Sequence, residues 1–349
     1  MKAEINSNRD SNRQKLADII PLPAPFTVYI EQTRGCNLKC FYCIHSTRDE
    51  VGGDFSRLGY QLKHMDFKEY LKIVDDLSEF PPGSVKRVVF SGLGEPLANP
   101  RLPELIKIMV DQNIADRVDV ITNGLFLNEK LSRKLIEAGL ANINISIQGL
   151  SGERYKEVCG VGIDFERFRK QLEYLYSIRG DTKIYIKIID VALNGEGEKK
   201  HFYDLFGDFA DRIFIEHVIQ MQQSHEKIRS DVDCGLNLYG EKMDENRKVC
   251  SPSFYHLQVG CDLDIFPCPI PGLPKTFALG NARENSLKEI WNGKSRFSHL
   301  RKMLRFEKNT IPVCSECVCY NVIGGTAECL DGVAPEILAK LIKQRVGKV

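Results

Sequence analysis

Between residues 26 and 218 the apolar positions switch repeatedly between two periods. Short runs rich in β-branched residues at 26–32, 85–90, 117–122, 142–147, 183–190 and 212–218 predict strands, each followed by polar or glycine-containing residues. Between them the spacing becomes helical. Phe67, Tyr70, Leu71, Val74 and Leu77 lie on one face, and Asp66 and Glu69 are placed to cap its start. Further helices are predicted at 102–111, 129–138, 165–177 and 199–209. Repeated βα units wind in one hand around a parallel sheet, so six of them predict an α/β fold, a partial (β/α)6 TIM-like barrel with an open side.

The pattern changes after residue 220. Residues 221–248 are polar, charged and weakly periodic and read as a linker. Residues 249–332 form a small cysteine-rich α+β region, with a hairpin of 254–259 and 263–266 turned at Cys261-Asp262 and helices at 286–292 and 295–304. Residues 333–349 predict a C-terminal helix, 25–220 carry the barrel, and 1–24 form a polar extension expected to be disordered before Pro21.

Composition narrows the class. The 349 residues are 43% hydrophobic, ordinary for a packed globular chain. Lys and Arg total 48 against 47 Asp and Glu, and a net charge of +1 offers no electropositive surface for nucleic acid. No run approaches the roughly 18 apolar residues of a membrane span, and the early apolar stretch is broken by Pro21, Pro23 and Pro25. Twelve cysteines without a secretory leader point to metal ligands in a reducing cytoplasm rather than disulfides.

The chemistry concentrates in Arg34-Gly35-Cys36-Asn37-Leu38-Lys39-Cys40-Phe41-Tyr42-Cys43, directly after the first barrel strand. Cys36, Cys40 and Cys43 put three thiolates on one loop with no fourth nearby. A [4Fe–4S] cluster held by three thiolates keeps one iron open for an outside ligand. A structural zinc ion or a disulfide is the alternative, although zinc generally takes two closely spaced ligand pairs, which this loop lacks. Other chemistry-bearing segments also follow strands: Ser91-Gly92-Leu93-Gly94-Glu95-Pro96 the second, Thr122-Asn123-Gly124 the third and Ser146-Ile147-Gln148-Gly149 the fourth. Active groups of such barrels gather at those carboxyl ends.

The C-x3-C-x2-C order resembles the signature of the radical S-adenosylmethionine (SAM) superfamily. That resemblance implies a SAM-binding [4Fe–4S] cluster on Cys36, Cys40 and Cys43, SAM as cosubstrate, and reductive cleavage to a 5'-deoxyadenosyl radical. It also implies a flavodoxin or ferredoxin-type electron donor. Gly92, Gly94 and Glu95 match the motif that holds the SAM amino group, Asn144, Ser146 and Gln148 the ribose side, and Tyr42 the aromatic position beside adenine. Asn194 and Glu196 would also face the nucleoside.

Cys250, Cys268 and the Cys314-x-x-Cys317 pair, with Leu279-Gly280-Asn281 between them, resemble the SPASM or "twitch" domain, implying one auxiliary [4Fe–4S] cluster for electron relay. Read from spacing alone, the same four would also suit zinc. The C-x2-C-x-C run departs from longer SPASM domains, which leaves Cys159, Cys234, Cys261, Cys319 and Cys329 as spare thiols. Cys159, in a glycine-rich loop after the fourth strand, is a possible hydrogen donor to a substrate radical.

His45, Arg48, His64, Arg154, Lys187, Glu216 and His217 are polar residues able to line the barrel mouth. Reaction class follows from the resemblance. Only about 25 residues precede the first strand, too few for a peptide-recognition module. The expectation is therefore a radical SAM oxidoreductase that dehydrogenates or epimerises a carbohydrate or aminocyclitol. Peptide or protein maturation is the alternative, and a non-catalytic iron–sulfur electron carrier the third reading.

Overall fold

The computed structural model describes residues 1–7, 14–219, 235–244, 246–315, 317–322 and 326–346. Ten strands form one sheet: β1 (Glu4–Ile5), β2 (Thr27–Ile30), β3 (Arg87–Phe90), β4 (Arg117–Thr122), β5 (Asn142–Ile147), β6 (Lys183–Ile189), β7 (Arg212–Glu216), β8 (His256–Val259), β9 (Asp264–Phe266) and β10 (Gly280–Asn281). Their order is β1-β7-β6-β5-β4-β3-β2-β8-β9-β10. From β2 to β7 every pairing is parallel and joins sequence neighbours, the six-unit barrel the periodicity predicts.

Helices cross between the strands where their caps dictate. Asp66 accepts from Lys68 N at 2.8 Å to start Phe67–Ser78, and Asn128 accepts from Leu131 N at 3.0 Å to start Glu129–Glu137. The helix-facing side of the strands is aliphatic: Val28, Ile30, Val88, Phe90, Val120, Ile143, Ile145, Ile186 and Ile213 are completely enclosed. Alternation turns the other residues inward, and many of those are polar. Thr27, Arg87, Arg117, Asn144, Lys187 and Glu216 border a cavity of about 680 Å³ instead of a packed apolar plug. Apolar Tyr29 and Ile121 share that lining with the polar residues.

Three expectations change. The residues before Pro21 are not all disordered: β1 pairs parallel with β7 (Glu4 beside Arg212), and a turn of helix at Leu16–Ile19 buries Leu16. Two residues are too short to leave a periodic signal. Cys159 does not lie in a loop: Gly152–Cys159 is helical, started by Ser151 accepting from Arg154 N and ended by Gly160 at φ 70°. The C-terminal region is not hung on a free linker either. Its hairpin of β8 and β9 forms as predicted, but β8 also pairs in parallel with β2, Thr27 beside His256 and Ile30 beside Val259, so the barrel sheet runs on into the second module. Residues 221–234 and 245 of the predicted linker, and with them Cys234, lie outside the described residues.

The module is fastened by large buried groups. Trp291 donates from Nε1 to Leu22 O at 3.3 Å, and the Arg296 guanidinium lies 3.3 Å from the centre of its ring. The C-terminal helix Ala334–Val346 follows, with Arg345 over the Phe297 ring.

Candidate active site

The loop after β2 is braced from four directions. Asn123, at the end of β4, donates to Asn37 at 2.8 Å. The Tyr42 hydroxyl donates to Gln148 beyond β5. Arg48 donates to the carbonyls of Cys36 and Leu38 at 2.6 and 3.1 Å. The backbone N–H groups of Lys39 and Phe41 donate to the last carbonyls of the helix Gly152–Cys159, at 2.9 and 3.0 Å. These contacts hold a segment without regular structure in one shape, as a metal-binding loop requires.

Cys40 is buried, and Cys36 and Cys43 are partly covered. Burial pushes the Cys36 and Cys43 thiols up to about 12. Cys40 is raised as well, first by its contact with Cys159 and then by burial. Thiols in such surroundings ionise only against strong positive charge, which iron supplies. Among the described residues no three His, Cys, Asp or Glu side chains converge closely enough for a single ion. Three soft donors spread along one loop suit a cubane, whose ligands attach at separate corners.

The glycine motif after β3 presses against the segment that leads into this loop. Gly92 stands at φ 145°, and a Cβ there would come within 2.7 Å of Glu31; one on Gly94 would come within 2.3 Å of Thr33 O. The Glu95 carboxylate accepts from Leu97 N at 2.8 Å, Asn123 N at 2.7 Å and the Thr122 hydroxyl. Burial raises it to about 7 against the pull of those donors. Both oxygens thus pin the loops after β3 and β4 together, and an incoming ammonium would share them. Gln148 joins Tyr42 and donates to Ser146 O at 3.2 Å, Ser146 is half-buried, and Asn144 faces the chamber.

Sequence reasoning missed Glu31 and Asp262, which belong to no motif. Buried Glu31 accepts from Arg34 Nε at 2.8 Å, Leu93 N at 3.0 Å and Cys261 N at 3.2 Å. Arg34 and Lys63 both pair with Asp262 in the β8–β9 turn, and Tyr60 covers the Arg34 guanidinium. One ionic chain therefore ties the cluster loop, the glycine motif and the C-terminal hairpin together.

The remaining mouth candidates separate. Lys187 Nζ and Tyr185 OH donate to Glu216 at 2.5 and 3.1 Å at the chamber wall. His217 pairs with Asp190, and His64 with the Thr33 hydroxyl. Arg154 spends its guanidinium on Val191 O, Ala192 O and Glu157. His45 is fully buried against Phe55, behind the loop, which lowers it to about 4. Glu196 is exposed and pairs with Lys199. Cys159 is entirely enclosed, its sulfur 3.5 Å from that of Cys40, at the end of a helix rather than in a loop.

The second cysteine group does assemble. Cys250, Cys268, Cys314 and Cys317 line one small cavity of about 30 Å³ with Cys319, Phe277 and Lys308. Lys308 Nζ donates to Cys314 O at 2.7 Å and Cys317 O at 3.1 Å, closing the C-x2-C turn. Burial raises Cys250 to about 11 and Cys314 to about 12, while a hydrogen bond from Cys319 brings Cys317 down to about 6. Cys261 is buried beside Glu31, and Cys329 is exposed.

A barrel with three thiols at its mouth and a second enclosed thiol set beside it define an iron–sulfur protein with two metal centres. The model described as the radical SAM superfamily matches residues 30–206, and one described as an iron–sulfur cluster-binding domain, SPASM, matches 250–318. The chain belongs to the radical SAM superfamily, and its cofactors are a [4Fe–4S] cluster with SAM in the barrel and auxiliary iron–sulfur in the SPASM domain.

It is 40% identical over 141 residues to a probable GTP 3',8-cyclase of Methanococcus maripaludis, covering 40% of this chain and 42% of that protein. The chain thus spans about two fifths of the length of the first curated relatives it matches. A tungsten-containing aldehyde ferredoxin oxidoreductase cofactor-modifying protein of Pyrococcus furiosus is 24% identical over 330 residues, 83% of this chain and 86% of that one. Among solved structures, BtrN in complex with AdoMet and 2-DOIA superposes with a TM-score of 0.57 at 18% identity, over 89% of this chain and 98% of BtrN. Streptococcus suis SuiB bound to S-adenosylmethionine gives 0.58 at 17%, over 88% and 74%. These likenesses carry the fold. Among the described residues no helix is long and apolar enough to cross a membrane.

Proposed function

We propose that this radical SAM enzyme removes a hydrogen atom from a small, polar, sugar-like substrate seated in the barrel chamber, and that oxidation of a carbinol is the reaction its residues suit best. Cys36, Cys40 and Cys43 would hold the SAM-binding cluster. Gly92, Gly94, Glu95, Asn144, Ser146, Gln148 and Tyr42 would surround SAM. Bound there, cluster and SAM supply a 5'-deoxyadenosyl radical. The chamber itself is the observation that supports the substrate reading: about 680 Å³ is the size of a small-molecule site, and Asn144, Lys187 and Glu216 border it. The rest of its lining mixes polar and apolar side chains and lies largely at the amino ends of the strands, away from Cys36, Cys40 and Cys43.

Within it the Glu216 carboxylate, oriented by Lys187 and Tyr185, is placed to accept a hydroxyl proton while Lys187 holds the alkoxide side of the substrate. The auxiliary centre would take the remaining electron, and a flavodoxin or ferredoxin-type protein would supply the reducing one. BtrN, whose structure contains 2-DOIA, supports the small-molecule reading; SuiB, also solved with its precursor peptide SuiA, represents the peptide alternative.

A nucleotide substrate is the second reading. Several relatives are named GTP 3',8-cyclases, which supports it; Arg87, Arg117 and Arg212 border the chamber but pair with Asp119 and Glu4. Anaerobic incubation with deuterated aminocyclitols, GTP deuterated on the ribose and deuterated peptides, followed by mass spectrometry of the 5'-deoxyadenosine formed, tests these readings together. Label from a cyclitol or sugar carbon is expected. Label from GTP selects the second reading, and label from a peptide alone overturns both.

A further inference from the structure

The cavity of the C-terminal module is lined by five cysteines, whereas a cubane has four corners. Cys250, Cys268, Cys314 and Cys317 account for four. The fifth, Cys319, is 5% exposed and packed with Phe266, Ile270 and Leu273. A buried cysteine is ordinarily a small hydrophobe, but this one borders the same space as the others and makes a side-chain hydrogen bond with Cys317. The SPASM match ends at residue 318, one position before Cys319. Lys308 fixes the carbonyls of Cys314 and Cys317, and Cys319 opens the next helical turn, Cys319–Val322, beyond that clamp.

We infer that the auxiliary cluster draws on five thiols for four iron corners, Cys317 and Cys319 sharing one corner as exchangeable ligands. The exchange breaks one Fe–S(thiolate) bond at Cys317 and makes one at Cys319. The proton of the incoming Cys319 thiol passes to the departing Cys317 sulfur to which it is hydrogen-bonded. No electron moves and no further reactant is needed.

The test uses the full chain carrying Cys36→Ala, Cys40→Ala and Cys43→Ala, so that only the auxiliary cluster forms on anaerobic reconstitution. Iron and sulfide are counted and the reduced cluster is recorded by electron paramagnetic resonance. Adding either Cys317→Ala or Cys319→Ala is expected to leave about four irons per chain, with shifted g-values for Cys317→Ala. The pair together, and Cys250→Ala as control, are expected to fall to background. The inference is overturned if Cys317→Ala or Cys319→Ala alone loses iron as completely as Cys250→Ala while retaining a native far-UV circular dichroism spectrum. A second measurement needs no new cysteine substitution in the module: anaerobic alkylation of the loaded protein should label Cys317 and Cys319 at a common rate, faster than Cys250. Protection of Cys317 equal to that of Cys250 would refute the exchange.

Discussion

The two cysteine sites of this chain are built by opposite means. At the barrel mouth three thiols sit on one irregular loop, and the loop owes its shape to hydrogen bonds from outside: Asn123, Gln148, Arg48 and the end of the helix Gly152–Cys159. In the second module the thiols come from well-separated points of the sequence and are brought together by an apolar pocket, with Lys308 closing its rim. Three donors on one loop would leave a cubane one iron corner without a protein ligand, open to a cosubstrate. An enclosed, over-supplied set leaves no corner for a substrate and is suited to passing electrons. Donor number and the route by which donors converge thus distinguish the two sites.

That contrast can be broken most severely at the ligands. Alanine at Cys36, Cys40 or Cys43 should abolish SAM cleavage while the auxiliary iron remains. Alanine at both Cys314 and Cys317 should leave SAM cleavage and abolish substrate oxidation; oxidation surviving in folded protein would remove the relay role.

Next in size is the ionic chain that joins the two regions. Arg34→Met leaves the Glu31 carboxylate buried without its cation, which should cost about 3–5 kcal/mol of stability in urea unfolding. A loss under 1 kcal/mol would mean the chain carries no such load.

A pH measurement sharpens the account of the second module. Burial, with Arg296 and Lys302 nearby, lowers His299 to about 4, so the folded protein holds it neutral against Ser253 Oγ at 3.1 Å. A depressed value contributes stability that is present above about 6.5 and is lost as pH falls toward 4. His299→Gln, which can keep the Ser253 contact, should therefore unfold with a shallower pH dependence between 7 and 5.5 than the parent. Parallel curves would place the ring in contact with water. The smallest effect is expected at the loop: Tyr42→Phe removes one hydrogen bond to Gln148 and should cost about 1 kcal/mol, read as a small drop in thermal midpoint with the iron content unchanged.

The barrel was legible because each strand and helix carries its own period. The helices Leu102–Asp111 and Phe165–Ile178 fall where apolar spacing puts them. The cluster loop was legible because its three donors are contiguous. The pairing of β8 with β2 was not, since it joins residues more than two hundred positions apart and neither strand's composition names its neighbour. The roles of Glu31 and Asp262 were missed for the same reason: a buried ion network is a property of approach in space. Cys159 was misread despite available signals. Ser151 is a helix cap and Gly160 a left-handed stop, but the run Val158-Cys159-Gly160-Val161-Gly162 hid the helix that precedes it. For the substrate-facing residues, alternation marked Lys187 and Glu216 as inward, yet only the register of β6 against β7 brings them within reach of each other.

The strand that opens the chain has a consequence of its own. Glu4–Ile5 at one border of the sheet and Gly280–Asn281 at the other are each two residues long, and Glu4–Ile5 shields Arg212 and Ile213 of the five-residue strand beside it, shortening the edge onto which another strand could be stitched. Peeling Glu4–Ile5 away would uncover the full length of Arg212–Glu216, a ready template for self-association, and the slender tip thereby acts as a guard against clumping.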